Sequence, residues 1–519
     1  MHQALLIPEV LLNIFAHVNP TLDPWLTRNY DKISLGRKSL AALATTCKAF
    51  HEPAMDLLWA EVHQLEPLLG CITRLHSTIY SKHPSQWWNP WHDYHSRTWA
   101  GLPDLEPLSA HETCQFLRHS ARVRSLIIPY HDRLVHFLSA IPIETCLFPR
   151  LRSLTWGLST AKYMDLFLPH TLRKCHLSTV NEGLKYLVTR CSALEHLSID
   201  RFDPLAGDEL SLLSDSVRLC KRLVRLSCPS LDWAAWKHLS DLPTLLGVQI
   251  DANRSAFLWP LERDIVNLSP FLNLKDLSIL LSSPAYVIAV MEHSQFPSLI
   301  KFTVRLELPP PAVAEQLFNT LSQCTTSQIL EQIDITLDDY EDDYPDPDND
   351  QDPPPPGNIL TVIPHLLCFT QLRILQLNIH GSYIRLDNDI LLVAMSAWPH
   401  IQTLKIKNSS LPPPVTFRGL FTAMRQCPHL NNLDIAIDTE NIDIDPNAEP
   451  TPHTSLQTLE LGSARYWVRN PEAVASIIFT WLPCIDGVDM PNGQMKDVHL
   501  HLERLRVAAL DAAKAVSYN

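Results

Sequence analysis

Three sets of residues in this 519-residue chain stand at spacings that invite a chemical reading. Asp346, Asp348 and Asp350 have the alternate spacing of a calcium loop. Such a loop also needs a glycine directly after the third aspartate and a bidentate glutamate at its twelfth position. Gln351 and Gly357 occupy those places, so calcium binding is not expected. His92 and His95 are spaced like half of a zinc set. No cysteine or carboxylate pair completes it, and no metal is expected there. The nearest two of the twelve cysteines, Cys220 and Cys228, lack C-x-x-C spacing. The twelve cysteines are expected to be buried free thiols in a reducing compartment, not a disulfide framework. No G-x-S-x-G elbow, P-loop, H-E-x-x-H helix or dinucleotide glycine fingerprint occurs. A non-catalytic protein without a cofactor is therefore expected, although a site assembled across distant segments would leave no such motif.

Composition narrows the class further. Hydrophobic residues make up 46% and charged residues 19%, enough for a large folded core. Glycine is scarce at 13, which disfavours phosphate-cradling loops, while 41 prolines suit frequent breaks between short elements. The net charge is −14, but the stretch from Asp338 to Asp352 holds nine acidic residues and no basic one, so the rest carries only −5. No basic stripe is evident, and nucleic acid is not an expected partner. No apolar run reaches the length of a membrane span, and Pro8-Glu9 interrupts the first apolar run. A cytoplasmic or nuclear protein is expected.

The elements come from a repeated signature: an anchoring aliphatic residue, two variable residues, then alternating apolar positions. Examples are Phe148-Pro-Arg-Leu-Arg-Ser-Leu-Thr-Trp156, Phe271-Leu-Asn-Leu-Lys-Asp-Leu-Ser-Ile279 and Cys427-Pro-His-Leu-Asn-Asn-Leu-Asp-Ile435. The anchors are Val123, Leu151, Leu172, Leu194, Leu223, Leu245, Leu274, Leu299, Leu330, Leu372, Ile401, Leu430, Leu456 and Ile485. Most intervals are about 21–31 residues, close to leucine-rich-repeat periods. Alternation predicts a short half-buried strand in each copy. Helical patterns between strands run over 182–188, 208–219, 232–239, 312–321, 389–395 and 472–479. A lone strand and helix cannot cover their own apolar face, so stacked copies must share one core. The expected fold is α/β: an irregular leucine-rich-repeat solenoid of parallel strands and helices, a horseshoe, over 119–490. A compact α/β enzyme with a parallel sheet is the competing reading. An acidic Pro-rich insert is expected at 338–357 and a closing helix at 491–519. A helical, aromatic-rich connector over 64–118 contains Trp87, Trp88, Trp91 and Trp99, which are expected to pack against the first repeats.

Residues 1–63 differ. Pro8 suits the first turn of a helix and Glu9 its positive end. Val10, Leu11, Ile14 and Phe15 then form a broad apolar stripe. A second segment would bury Leu40, Leu43, Ala44 and Cys47, and a third ends in Leu57-Leu58-Trp59. So few residues make a marginal core. The segment is expected to be either a cap for the repeats or a partner-docking module.

Its motif order resembles the fungal-type F-box family. The matching positions are Glu9, Leu11, Ile14, Phe15, Cys47, Lys48, Phe50, Leu58 and Trp59. Aligned on Ile14-Phe15, the family's proline position falls on Ile7, with Pro8 one residue later, and the connection from Val18 to Ser39 is longer than usual. The resemblance covers about the first tenth of the chain. It implies that Pro8, Glu9, Leu11, Ile14, Phe15, Leu43, Cys47, Phe50, Leu58 and Trp59 contact a Skp-type adaptor and, through it, a cullin ubiquitin ligase core. The repeats would then hold a protein substrate. The alternative is a leucine-rich-repeat interaction scaffold unconnected to ubiquitin.

Overall fold

The computed structural model describes residues 7–18, 30–80, 106–129, 133–142, 146–200, 207–251, 268–280, 283–326, 328–338, 359–379, 383–408, 414–444, 452–461, 468, 470–485, 487–489 and 496–517. The acidic insert beyond Asp338, the histidine pair and the tryptophans of the connector lie outside them. The chain forms two compact units, Met1–Arg201 with Leu205–Leu231, and Phe202–Pro204 with Asp232–Asn519.

The first unit opens with three helices, α1 (Pro8–Ala16), α2 (Tyr30–Thr46) and α3 (Lys48–Leu58). Six strands follow: β1 (Glu61–Val62), β2 (Ser125–Ile128), β3 (Ser153–Trp156), β4 (Lys174–Leu177), β5 (His196–Ile199) and β6 (Arg225–Cys228). Each lies parallel to the next. Between β1 and β2 come α4 (Glu66–Leu69), α5 (Thr73–Tyr80) and α6 (Ala110–Ser120). The returns from β2 and β3 are 3-10 turns, Arg133–Ala140 and Met164–Phe167, whereas β4 and β5 are followed by helices.

The second unit continues the pattern by itself. Its main sheet runs β7 (Gly247–Asp251), β8 (Asp276–Leu280), β9 (Lys301–Glu307), β10 (Gln332–Asp338), β12 (Ile374–Ile379), β14 (Thr403–Asn408), β15 (Asn432–Ile435), β16 (Thr458–Glu460) and β17 (Gly487–Asp489), all parallel. A separate parallel pair joins β11 (Ile359–Leu360) to β13 (Tyr383–Ile384). Helix Lys496–Ser517 closes the chain, with Val498 and Leu502 buried.

The leucine spacing explains this architecture. Each of the fourteen anchors named above is at most 3% exposed, and each leads into one strand from β2 onward, leaving out the small pair. Backbone bonding repeats with the same period. The Arg152 carbonyl accepts from Arg173 N at 2.9 Å and Lys174 N at 2.8 Å, and the Arg373 carbonyl accepts from Gln402 N at 2.8 Å and Thr403 N at 3.0 Å. Strands joined by such a shared carbonyl therefore start in register with each other. Strand side chains alternate between a buried face and a partly exposed one, as in β2, β3, β5 and β10. Aromatic lead-in residues join copies through the core: Phe148 stacks on Phe167 with centroids 5.3 Å apart, and Phe271 on Phe296 at 5.2 Å. These are leucine-rich-repeat ladders, and the expected α/β repeat class is the one observed.

The helices between strands also match their apolar patterns. Predicted 208–219 is Gly207–Leu219, and predicted 472–479 is Pro471–Trp481. Among the described residues, no helix is long and apolar enough to cross a membrane. Cys175, Cys191, Cys220, Cys228, Cys324 and Cys427 are buried and the other six cysteines are exposed, so the expected burial holds for half of them.

Candidate partner-docking surfaces

The N-terminal helices build a small core from one side of each segment. Leu11, Phe15, Leu40, Ala44 and Ala54 are buried together, with Leu43, Phe50, Met55, Leu57 and Leu58 packed around them. The Phe15 ring meets Phe50 edge-on, with centroids 5.4 Å apart and planes at 85°. Pro8 opens α1, as its missing N–H allows, and Leu11 N bonds back to the Ile7 carbonyl at 3.1 Å. Glu9 is exposed in the first turn, where a carboxylate opposes the helix dipole.

The residues singled out by motif thus divide. Leu11 and Phe15 face inward, while Leu43, Phe50 and Leu58 are partly covered. Glu9, Ile14 and Cys47 are exposed. Helical spacing from Leu40 and Leu43 predicts Cys47 inside the second helix. It is instead the extended residue between α2 and α3, and its carbonyl accepts from Phe50 N and His51 N. Two exposed apolar residues beside the motif carried no family signal: Ile7 is 47% and Leu35 66% exposed, against 42% for Ile14. Leu35 belongs to a helix that begins at Tyr30, ten residues before the apolar segment recognised in the sequence.

This block joins the first repeat without a linker. Helix α3 ends at Leu58, and the Ala60 carbonyl already accepts from Arg124 N and Ser125 N of the next repeat, at 2.8 and 2.9 Å. The Arg122 guanidinium donates to Glu52 at 2.5 Å and to Asp56, both on α3. Arg37 on α2 donates to the Glu61 carbonyl at 2.6 Å. The Trp59 ring lies against the His119 imidazole at a tilt of 33°, with centroids 4.8 Å apart. Nearby, Arg74 grips Glu112 through two nitrogens at 2.7 and 3.0 Å. That contact holds the carboxyl down at about 2 while Glu112 also completes the capping box with Ser109 at the start of α6.

The second surface is the partly exposed face of the strands. From β2 to β6 it presents Ser125, Ile127, Ser153, Thr155, Lys174, His176, His196, Ser198, Arg225 and Ser227, and β1 adds Glu61 beside Ser125. In the second unit charges of both signs mix. Register aligns Lys405, Asp434 and Glu460 on adjacent strands. Lys405 lies 3.7 Å from Glu460, and Lys407 3.6 Å from Asp434. Asp434 is only 1% exposed. Burial, and then the neighbouring Glu460 charge, push its pKa up despite the lysines. Among the described residues, no three His, Cys, Asp or Glu side chains are grouped to hold a metal ion.

No known protein-family profile matches the chain, and no curated protein matches its sequence. Among solved structures it is similar to an internalin from Listeria monocytogenes, at 12% identity over 72% of this chain and 89% of that one, with a TM-score of 0.38. It is also similar to a chain of the Drosophila Toll–Spatzle complex, at 11% identity over 74% and 50% of the two chains, with a TM-score of 0.34. A chain of the yeast Rad7–Elc1 complex is similar at 13% identity over 75% and 76%, with a TM-score of 0.31. Likenesses this distant bear on the fold at most.

Proposed function

We propose that the chain is the non-catalytic substrate receptor of a Skp–cullin–F-box-type ubiquitin ligase. Helices α1–α3 dock a Skp-type adaptor, and the strand faces hold a protein substrate. The observation that carries this reading is the pairing of motif order with exposure. The F-box-like order runs through Leu11, Ile14-Phe15, Cys47-Lys48, Phe50 and Leu58-Trp59. On the same helices, or at the cap of α1, Ile7, Ile14 and Leu35 remain exposed although a core is already closed beneath them. Exposed apolar side chains gathered in one small module favour a partner. Catalysis would work by proximity, since holding a target lysine near a charged carrier raises its effective concentration without any nucleophile from this chain.

A second reading has its own support. The direct run from α3 into β1, and the grip of Arg122 on α3, suit a cap for the repeats in a scaffold unconnected to ubiquitin. Co-purification with a Skp-type adaptor separates the two. The receptor reading expects an adaptor complex that is lost when Ile7 and Ile14 are replaced by Asp while the unfolding midpoint is unchanged. Absence of adaptor from the intact chain favours the scaffold.

A further inference from the structure

We propose that the exposed face of β4–β6 is a docking site for an extended acidic peptide of the protein partner. The proposal deepens only the partner-binding half of the reading above and is independent of adaptor docking. The chain as a whole is acidic at −14, yet no exposed-face position of β2–β6 is a carboxylate. Five of the ten are Ser or Thr, and four are Lys174, His176, His196 and Arg225. Lys174, His196 and Arg225 are direct register partners on three adjacent strands.

Adjacent strands lie about 4.8 Å apart, so Lys174 and Arg225 begin roughly 10 Å from each other. Three residues of extended chain span about the same distance. An extended peptide crossing the strands therefore brings carboxylates three residues apart over the two long cations. His196 lies between them, and the hydroxyls of Ser198 and Ser227 share the face in the next row. Burial, then Lys174, and also Arg225, lower the His196 pKa, against the opposing effect of Glu195. His196 is thus a neutral hydrogen-bonding group at neutral pH, and the positive charge comes from the long side chains.

Among the described residues, two carboxylates beside this row, Asp200 and Glu195, are already engaged. Asp200 lies 3.1 Å from His176, and Glu195 accepts from Arg173 at 2.8 Å. Arg124 and Arg152, which precede β2 and β3, add positive charge beside the same row. A carboxylate-rich peptide meets attraction here that a neutral one does not.

The test titrates fluorescein-labelled peptides into the full-length protein without any adaptor. One peptide carries glutamate at every third position, a second has glutamine there, and a third has phosphoserine. The glutamate peptide should bind at least about tenfold more tightly than the glutamine peptide, and more weakly as salt rises. Lys174→Glu should remove most of that preference, and Lys174→Arg should keep it, with unfolding midpoints unchanged. Equal binding of the glutamate and glutamine peptides, indifference to Lys174→Glu, or no binding of the glutamate peptide by the intact chain overturns the proposal. Binding confined to the phosphoserine peptide also overturns it, by assigning the face to phosphate.

Discussion

Arg122 and Glu52, seventy positions apart in sequence, are joined by a hydrogen bond of 2.5 Å from the guanidinium to the carboxylate. Arg122 also donates to Asp56 one turn further along α3, and Arg150 approaches Asp56 at 3.7 Å. These contacts hold the N-terminal helices to the repeat that follows them. Replacing Arg122 with Ala should cost about 1.5–3 kcal/mol, because it removes charge-assisted bonds at a largely covered guanidinium. Chemical denaturation would measure the loss. Limited proteolysis should show α1–α3 cleaved before the repeats; uniform cleavage would contradict the role assigned to Arg122.

Phe15 and Ile14 are neighbours with opposite duties. Phe15 is buried against Phe50, so Phe15→Ala should destabilise by about 3–5 kcal/mol. Ile14 is exposed, so Ile14→Ala should stay within about 0.5 kcal/mol. A pair of denaturation curves checks this contrast. It also shows why adaptor-binding tests belong on Ile14 and not on Leu11 or Phe15, whose loss would unfold the module.

Much of this fold is legible from particular residues. Leu151, Leu274 and Leu430 announce their strands because an aliphatic anchor followed by alternation has only one way to bury itself in a stacked repeat. The docking module is less legible. Val10, Leu11, Ile14 and Phe15 form one apolar stripe, and only the packing of Phe50 and Leu40 decides which members turn inward. Cys47 carries helical spacing from Leu40 and Leu43, yet α2 ends at Thr46, which leaves Cys47 exposed. The alignment of Lys405, Asp434 and Glu460 depends on register between strands about 28 residues apart, which no local pattern reveals.

Asp434 should make stability pH-dependent. Its folded pKa is raised to about 6, above the ordinary aspartate value. The folded state therefore holds this proton more tightly than the unfolded chain does. The stabilisation is complete below the unfolded pKa of about 4 and is lost as pH rises through the folded pKa. Asp434→Asn should flatten the stability profile across that window and gain about 1–2 kcal/mol relative to wild type at pH 8. An unchanged profile would show that Asp434 is not the titrating group.

Thiol chemistry should divide the cysteines. Burial pushes Cys191, Cys220, Cys324 and Cys427 up to about 12, and Cys175 and Cys228 are fully enclosed as well. Since the thiolate is the reactive form, these six should resist alkylation until the chain unfolds. Cys47 and the other exposed thiols should react in the native state, Cys71 and Cys368 more slowly because partial burial raises their pKa. Mass spectrometry after a brief native pulse reads the two classes, and early labelling of Cys228 would contradict the packing of β6.

The most direct measurement is a calorimetric titration of a purified Skp-type adaptor into the full-length protein and into its Ile14→Asp variant. The receptor account expects one-to-one binding in the micromolar range or tighter, weakened at least about tenfold in the variant. Absence of binding to the intact protein, or equal binding to both proteins, would contradict it.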